Sequence, residues 1–161
     1  MKKTFRKLQL ALARAYFGTA SRLAPGPTGR ALARRFVTPD KAGRQRASEA
    51  LTQVRDMQRG ELTMGDQRVT TYTWGDPGSQ PFVLIGHGWS SFGLRFAAWV
   101  PRLRAMGYAV VSFDQPAHGL SEGKVSSMPH FINMLRIVGR HFGRPAAYIG
   151  HSLGAMSIAF A

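Results

Sequence analysis

The spacing of apolar residues changes near residue 60, and the two parts of the chain predict different elements. Large apolar residues first recur at the spacing of one helix face, which predicts a helix over residues 1–24. These residues are Phe5, Leu8, Leu12, Tyr16 and Leu23. The proline- and glycine-rich segment 24–29 predicts a break, and residues 30–36 predict a second short helix. The polar segment 37–50 predicts a linker.

Beyond residue 60, short continuous apolar runs alternate with helical patterns. The segments ELTM and QRVTTYTW flank the turn-forming pair Gly65-Asp66 and predict a β-hairpin. The runs PFVLIG, YAVVSFD and AAYIG predict three strands buried on both faces. A helical pattern follows each run, over 92–106 with a kink or restart at Pro101, over 129–142, and from Leu153. This alternation predicts an α/β fold with a mostly parallel sheet and flanking helices.

The composition agrees with this division. A chain of 161 residues, 44% of them apolar, has the material for one packed core of ordinary size. We therefore expect a basic helical extension with its linker at 1–59, and an α/β domain at 60–161. The absence of cysteine excludes disulfides, thiolate metal sites and a cysteine nucleophile, and it suits a reducing compartment.

The positive charge is concentrated before residue 60. Residues 1–59 hold 14 Lys and Arg against Asp40, Glu49 and Asp56, in a chain with a net charge of +14. Such a segment attracts phosphate, in nucleic acid or in lipid headgroups. Because no base-reading element or aromatic platform accompanies the charge, we expect no nucleic-acid partner. We expect peripheral membrane contact through residues 1–36; the alternative is that the helix packs on the α/β domain with its basic face in solvent.

The expected cellular location of the chain depends on whether the apolar stretch Leu8–Ala13 could be a membrane span or a secretory signal. Gln9 interrupts it and Arg14 ends it, so it is far shorter than the roughly 20 residues of a membrane span and unlike a secretory signal. The sequence therefore predicts a cytoplasmic chain, membrane-peripheral if the basic helix binds lipid. No pattern in it indicates an oligomeric state.

The pentapeptide at 150–154, GHSLG, is the strongest candidate for chemistry. It lies between a predicted strand and a predicted helix, the setting of a nucleophile elbow, in which a sharp turn exposes the hydroxyl of Ser152. Side chains two residues before and after this serine would collide, and Gly150 and Gly154 occupy those positions. The N–H of Leu153 then opens a helix and faces a developing oxyanion. The alternative is a chance match in a chain with 18 glycines.

A second motif, LIGHGWSS, follows the first predicted buried strand. The pair His87-Gly88 lets the backbone fold close to the site, so that the N–H of Trp89 becomes the second oxyanion donor. The alternative is a simple strand-to-helix turn that requires glycine. We expect His87 to support this loop rather than to take part in the chemistry.

We expect the other polar residues in the predicted loops and helices to have structural roles. Asp114 and His118 lie in the loop after a different strand, so we expect Asp114 to pin that loop rather than to complete a triad. His130, His141 and His151 lack metal-ligand spacing, and the sequence has no phosphate-binding or dinucleotide-binding glycine motif. The sequence therefore predicts neither a metal nor a cofactor.

Three motifs in this order, VLIGHGWSS, GYAVVSFDQPAHGLSEG and YIGHSLGAMSIA, resemble the α/β-hydrolase superfamily. The resemblance covers about residues 60–161 and is greatest to bacterial serine hydrolases of the AB hydrolase-1 type that carry a basic helical N-terminal extension. It implies Ser152 as the nucleophile, with the backbone N–H groups of Leu153 and Trp89 as the oxyanion hole. Ala117 departs from the family, which often has glycine before His-Gly, and this implies a tighter loop.

The resemblance also implies parts that this sequence does not contain. The family has three more strands, a lid or cap, a later acid and a late histidine, so we expect an N-terminal part of the fold, truncated after the nucleophile elbow. The strand AAYIG would then be an open sheet edge.

The implied activity is that of a serine hydrolase acting on an ester or related acyl bond of a small molecule through an acyl-enzyme. Ester, thioester and amide substrates stay open, as does acyl transfer in place of hydrolysis. Without the acid and histidine of the triad, we expect the 161-residue chain alone to be inactive. The alternative is a non-catalytic truncated module of this fold that binds a partner or a membrane surface.

Overall fold

A computed structural model describes residues 2–161 of the protein. Helices and strands follow one another along this described range as α1 (Lys2–Leu23), α2 (Pro25–Phe36), α3 (Ala42–Gln53), β1 (Gln58–Met64), β2 (Gln67–Trp74), β3 (Phe82–Gly86), a 3₁₀ helix (Gly93–Trp99), α4 (Val100–Ala105), β4 (Ala109–Phe113), α5 (Met128–Phe142), β5 (Ala147–Gly150) and α6 (Leu153–Ala159). Residues up to Val37 form one compact unit, and Thr38–Ala161 form a second. Among the described residues, no helix has the length and apolar character needed to cross a bilayer.

The first unit consists of α1 and α2, and the break expected over 24–29 is confined to Ala24. The second helix begins at Pro25 rather than at residue 30, so it includes residues 25–29 of the proline- and glycine-rich segment. Pro25 and Pro27 are tolerated because the first four N–H groups of a helix have no partner within it. The hydroxyl of Thr28 also donates to the carbonyl of Ala24 over 2.8 Å, which ties the first turn together.

The linker expected over 37–50 is also corrected, because most of it belongs to α3. One face of this helix packs against the core of the second unit, with Ala47 fully buried and Ala50 and Leu51 beside it. The positions 47, 50, 51 and 54 have helical spacing, but three of the four residues are small or β-branched, and polar residues surround them. The helix is therefore stabilised by its tertiary contacts rather than by a strong local pattern.

The second unit is built on a five-stranded sheet in the order β1-β2-β4-β3-β5. The hairpin expected around Gly65-Asp66 is confirmed, since β1 and β2 pair antiparallel from Gln58↔Thr73 to Met64↔Gln67. β2 also pairs antiparallel with β4, whereas β3 pairs parallel with both β4 and β5. The sheet is thus mixed, and its parallel part contains the three strands that are linked by helices.

Two apolar layers cover the faces of the sheet, because successive side chains of β3 and β4 point to opposite sides. Val83, Ile85 and Val110 face the layer that holds α3, the 3₁₀ helix and α4. Leu84 and Val111 face α5, along a second layer. The residues that α5 contributes to that layer are Met134, Leu135 and Val138. The predicted helix break at Pro101 is a restart, since the proline lies in the first turn of α4.

The strand β5 differs from the expected buried strand. It lies at the edge of the sheet, where it pairs only with β3, as expected for an open edge. Its side chains are largely in solvent: Tyr148 is 49% exposed, and Met156 and Phe160 of the following helix are 54% and 63% exposed. A run of apolar residues therefore marks a strand here without marking its burial.

Candidate active site

Ser152 lies on a sharp turn between the end of β5 and the start of α6. Its backbone has φ 53° and ψ −124°, a conformation that L-residues rarely adopt, and its side chain is exposed. Holding a residue other than glycine in such a conformation costs on the order of 1–3 kcal/mol and is typical of functional sites. The serine therefore has the local geometry of a nucleophile elbow.

The glycines on either side of Ser152 are required by close backbone contacts. A Cβ atom on Gly154 would overlap the carbonyl oxygens of Gly86 and His87. A Cβ atom on Gly150 would overlap the Cα of Ala155 and lie 2.8 Å from its nitrogen. Both positions thus exclude side chains, for the reason expected from the motif.

The loop after β3 lies directly against the elbow. Gly86 is the register partner of Gly150, and the N–H of His151 donates to the carbonyl of Gly86 over 3.0 Å. A Cβ atom on Gly88 would lie only 3.0 Å from the Cβ of Ser152. The structure therefore brings the two motifs singled out in the sequence, 84–91 and 150–154, into contact.

The backbone N–H groups of Leu153 and Trp89 belong to the residues that follow Ser152 and Gly88, which lie against each other. Leu153 is the first residue of α6, so its N–H is among those that have no acceptor within the helix. Trp89 follows Gly88, and the carbonyl of Gly88 accepts hydrogen bonds from the ring of His87 at 2.7 Å and from the N–H of Ser91 at 3.3 Å. Because the N–H of a peptide unit points opposite to its carbonyl, these contacts direct the N–H of Trp89 away from them. Its part in an oxyanion hole stays a prediction.

His87 supports this loop from inside the protein. The backbone N–H of Gln115 donates to Nε2 of His87 over 2.9 Å, so Nδ1 carries the proton and donates to Gly88. The imidazole is fully buried, and burial lowers its pKa to about 4. His87 is therefore neutral near pH 7, and both ring nitrogens are used in hydrogen bonds.

An aromatic cluster that the sequence motifs do not predict lies beneath the loop. The ring of His118 packs 5.3 Å from His87, 5.0 Å from Trp89 and 5.2 Å from Phe131, measured between ring centroids. Phe131 stacks on Trp89 at 6.2 Å. These residues come from three separate segments, so only the adjacency of β3 and β4 and the position of α5 bring them together.

The segment around α3 also supports the loop, which the sequence did not indicate. The N–H of Asp40 donates to the hydroxyl of Ser90 over 2.9 Å, and the guanidinium of Arg46 donates to the carbonyl of Ser90 over 3.2 Å. A Cβ atom on Gly43 would lie 2.8 Å from that carbonyl. Ser90 has a φ of 52°, so these contacts hold a strained residue next to Trp89.

Asp114 pins its loop, as expected, and is not placed for general-base chemistry. Its carboxylate accepts hydrogen bonds from the N–H of Gly93 at 2.6 Å, the N–H of Leu120 at 2.7 Å and the hydroxyl of Tyr72 at 2.7 Å. Burial raises the pKa of Asp114, and the two backbone N–H donors oppose that change. The carboxylate thus joins β2, β4 and the two loops that flank the site.

Replacing Asp114 with alanine is expected to destabilise the protein by roughly 3–5 kcal/mol. The substitution leaves two buried donors and the partly buried N–H of Leu120 without an acceptor, each at a cost of about 1–3 kcal/mol. Urea unfolding measures the loss. Asp76→Ala is the matched control, because Asp76 also accepts from two loop donors but is exposed, and it should change stability far less. Equal losses in the two variants would contradict the role of Asp114.

Ala117, which stands where the family often has glycine, has a strained backbone. Ala117 has a φ of 66°, in the left-handed region that glycine adopts without strain. Ala117→Gly should therefore stabilise the fold by about 1 kcal/mol, since relief of strain exceeds the added entropy of the unfolded chain. An upward shift of the thermal midpoint measures it. A midpoint at or below that of the unmodified chain would show that this residue is not strained.

The remaining histidines do not form a metal site or a triad among the described residues. Nδ1 of His130 lies 3.2 Å from the hydroxyl of Ser127, His141 packs on Phe142, and His151 lies near Phe96. Within residues 2–161, no imidazole or carboxylate is found in a hydrogen bond with Oγ of Ser152. The described residues thus place Ser152 on an exposed, strained turn without a general base in contact with its hydroxyl.

Comparison with known proteins agrees with this geometry. Residues 82–161, which contain both motifs, match the model of the Alpha/beta hydrolase family. The thioesterase domain from the curacin biosynthetic pathway superimposes with a TM-score of 0.58 at 31% identity, over 63% of this chain and 37% of that one. Residues 82–161 of the chain belong to the α/β-hydrolase superfamily. The fold class expected from the sequence is confirmed.

Other α/β-hydrolases superimpose over a similar part of the chain. An esterase from Pyrococcus furiosus has a TM-score of 0.52 at 26% identity, over 63% of this chain and 44% of that one. Epoxide hydrolase A from Mycobacterium thermoresistibile has a TM-score of 0.56 at 22% identity, over 63% and 33%, a likeness that shows the fold alone. The chain therefore spans less than half the length of these solved α/β-hydrolases. A search of curated proteins gave no significant match.

Proposed function

We propose that this chain carries the nucleophile and the oxyanion hole of a serine hydrolase that cleaves an ester or related acyl bond. The observation that carries the proposal is the strained, exposed turn at Ser152, packed against the loop of Gly88 and Trp89. The thioesterase and esterase among the solved relatives favour an acyl substrate. A serine at the elbow, in place of an aspartate, argues against epoxide hydrolysis.

The proposed reaction begins with attack of Oγ of Ser152 on an acyl carbonyl carbon. The N–H groups of Leu153 and Trp89 stabilise the negative charge that develops on the carbonyl oxygen. The leaving alcohol or thiol departs with a proton, and water then releases the acyl group from the serine. His87 acts only by orienting the Gly88–Trp89 peptide, because both of its ring nitrogens are already bonded.

The reaction also needs a general base and an acid that orients it. Since the described residues place neither beside Ser152, we propose that the whole protein supplies a histidine and an acid from a part not present in this sequence. The greater length of the solved relatives supports this proposal. Residues 1–161 alone should then turn over activated esters on the order of 10⁴–10⁶ times more slowly than a complete serine hydrolase.

A fluorophosphonate probe tests the proposed function, because it reacts with serines that are activated by a base. The whole protein should be labelled, and peptide mass spectrometry should place the label on Ser152. A whole protein that hydrolyses no acyl substrate and takes up no label would instead favour a non-catalytic module of the same fold. Label on a different serine would assign the nucleophile elsewhere.

A further inference from the structure

The unit formed by α1 and α2 has a charge pattern that the hydrolase site does not explain. Its basic residues are Lys2, Lys3, Arg6, Lys7, Arg14, Arg22, Arg30, Arg34 and Arg35. Residues 1–37 contain no aspartate or glutamate. The segment therefore carries a high density of positive charge with no internal compensation, which attracts anionic surfaces.

The same unit exposes large apolar side chains, which on α1, apart from Leu10 (50% exposed), lie along one stripe. At 100° per residue, these positions fall within an arc of about 80°. The stripe consists of Phe5, Leu8, Leu12, Tyr16 and Leu23, which are between 58% and 81% exposed. On α2, Leu32 and Phe36 are exposed as well, at 45% and 84%. A contiguous exposed apolar surface of this kind marks an interaction site.

A basic stripe runs beside the apolar one. Lys7, Arg14 and Arg22 are exposed and fall within another arc of about 80° on α1, adjacent to the arc of the apolar residues. Long basic side chains that border an apolar face reach the headgroups while that face enters the acyl region. The order of apolar and basic stripes around α1 is the arrangement found in helices that lie in a membrane interface.

We propose that α1 and α2 bind the surface of an anionic membrane, with the apolar stripe of α1 in the headgroup boundary and its basic stripe on the lipid phosphates. A membrane surface of this kind would contact both the apolar stripe and the basic stripe. A nucleic acid would use the positive charge and leave the apolar stripe in water. The inference is independent of the hydrolase chemistry, since it rests on no residue of the site.

Co-sedimentation of the chain 1–161 with vesicles tests this inference. Vesicles of phosphatidylcholine with 30% phosphatidylserine should bind the chain, and vesicles of phosphatidylcholine alone should bind it far less. The triple variant Lys7→Gln, Arg14→Gln and Arg22→Gln should weaken binding about fivefold per residue, on the order of 100-fold in all. Equal binding to neutral and anionic vesicles would overturn the proposal.

Two further variants separate the causes of binding. A matched control, Arg95→Gln, Arg102→Gln and Arg140→Gln, removes the same charge from exposed positions of the second unit and should bind nearly as the unmodified chain does. Phe5→Ser with Leu12→Ser should also lose binding, because the apolar stripe no longer enters the interface. Full binding by this apolar variant, or an equal loss in the charge control, would contradict the assigned surface. Duplex DNA that binds as tightly as anionic vesicles, with no effect of the apolar substitutions, would assign the unit to nucleic acid.

Discussion

Ser152→Ala in the whole protein is expected to lower kcat for acyl hydrolysis by about 10⁴–10⁶-fold and to abolish fluorophosphonate labelling. The substitution removes the only atom that forms the acyl-enzyme in the proposed mechanism, while the backbone donors and the binding surface stay in place. The loss corresponds to about 5–8 kcal/mol of transition-state stabilisation. KM should change much less than kcat, since Oγ contributes little to ground-state binding.

A control variant distinguishes this effect from general damage. Ser48 is exposed on α3 and lies outside the motif, so Ser48→Ala should retain both activity and labelling. The stability of Ser152→Ala should stay close to that of the unmodified protein, because alanine keeps the same backbone strain. Activity that survives Ser152→Ala within tenfold would show that another residue is the nucleophile.

Stability is expected to fall steeply as the pH drops from about 6.5 to about 4. Burial lowers the pKa of both His87 and His118 to about 4, from an ordinary value of 6.5. In that range the unfolded chain binds protons that the folded chain does not, so protonation favours unfolding. Each histidine should remove about 3 kcal/mol by pH 4, at up to about 1.4 kcal/mol per pH unit.

The hydrogen bonds around the two rings explain why the folded state excludes the protons. Nε2 of His87 already accepts from Gln115, so a protonated ring would lose this bond. Nδ1 of His118 bonds the carbonyl of Pro116, and its buried Nε2 has no acceptor for a second proton among the described residues. A positive charge on either ring would also lie close to the other ring.

Urea unfolding of the chain 1–161 at several pH values measures this dependence. The interval from pH 6.5 to 5 is the informative one, because ordinary carboxylates stay ionised there. His118→Gln should reduce the slope in this interval by about half. If that variant does not fold, NMR titration of the unmodified chain serves instead, with two imidazoles expected to stay neutral from pH 6.5 down to pH 5. A flat stability profile between pH 6.5 and 5 would refute the assignment.

Much of the α/β unit could be predicted because its signals are local. The runs that became β3, β4 and β5 are continuous and apolar, and the pair Gly65-Asp66 marks its own turn. The elbow could be predicted as well, since the strand, the serine and the helix that define it are consecutive in sequence.

The parts that could not be predicted depend on contacts between distant segments. α3 is polar along most of its length and becomes part of the core only because Ala47 is buried there. The bond from Gln115 to His87 spans 28 positions and exists only because β4 pairs with β3. The prediction that β5 is buried on both faces was wrong, because a continuous apolar run does not specify how many neighbours a strand has.

The position of β5 at the edge of the sheet also determines where a further strand could pair with the sheet. Among residues 2–161 no strand pairs with the outer side of β5, so a further strand can add there. A strand that joined in parallel would run the same way as β3 and β5, and its carboxyl end would arrive beside Ser152. The loop that follows such a parallel strand would then lie beside Ser152. An antiparallel strand would instead place the loop that precedes it beside Ser152. The edge of the sheet thus sets which end of an incoming strand can deliver a side chain to the serine.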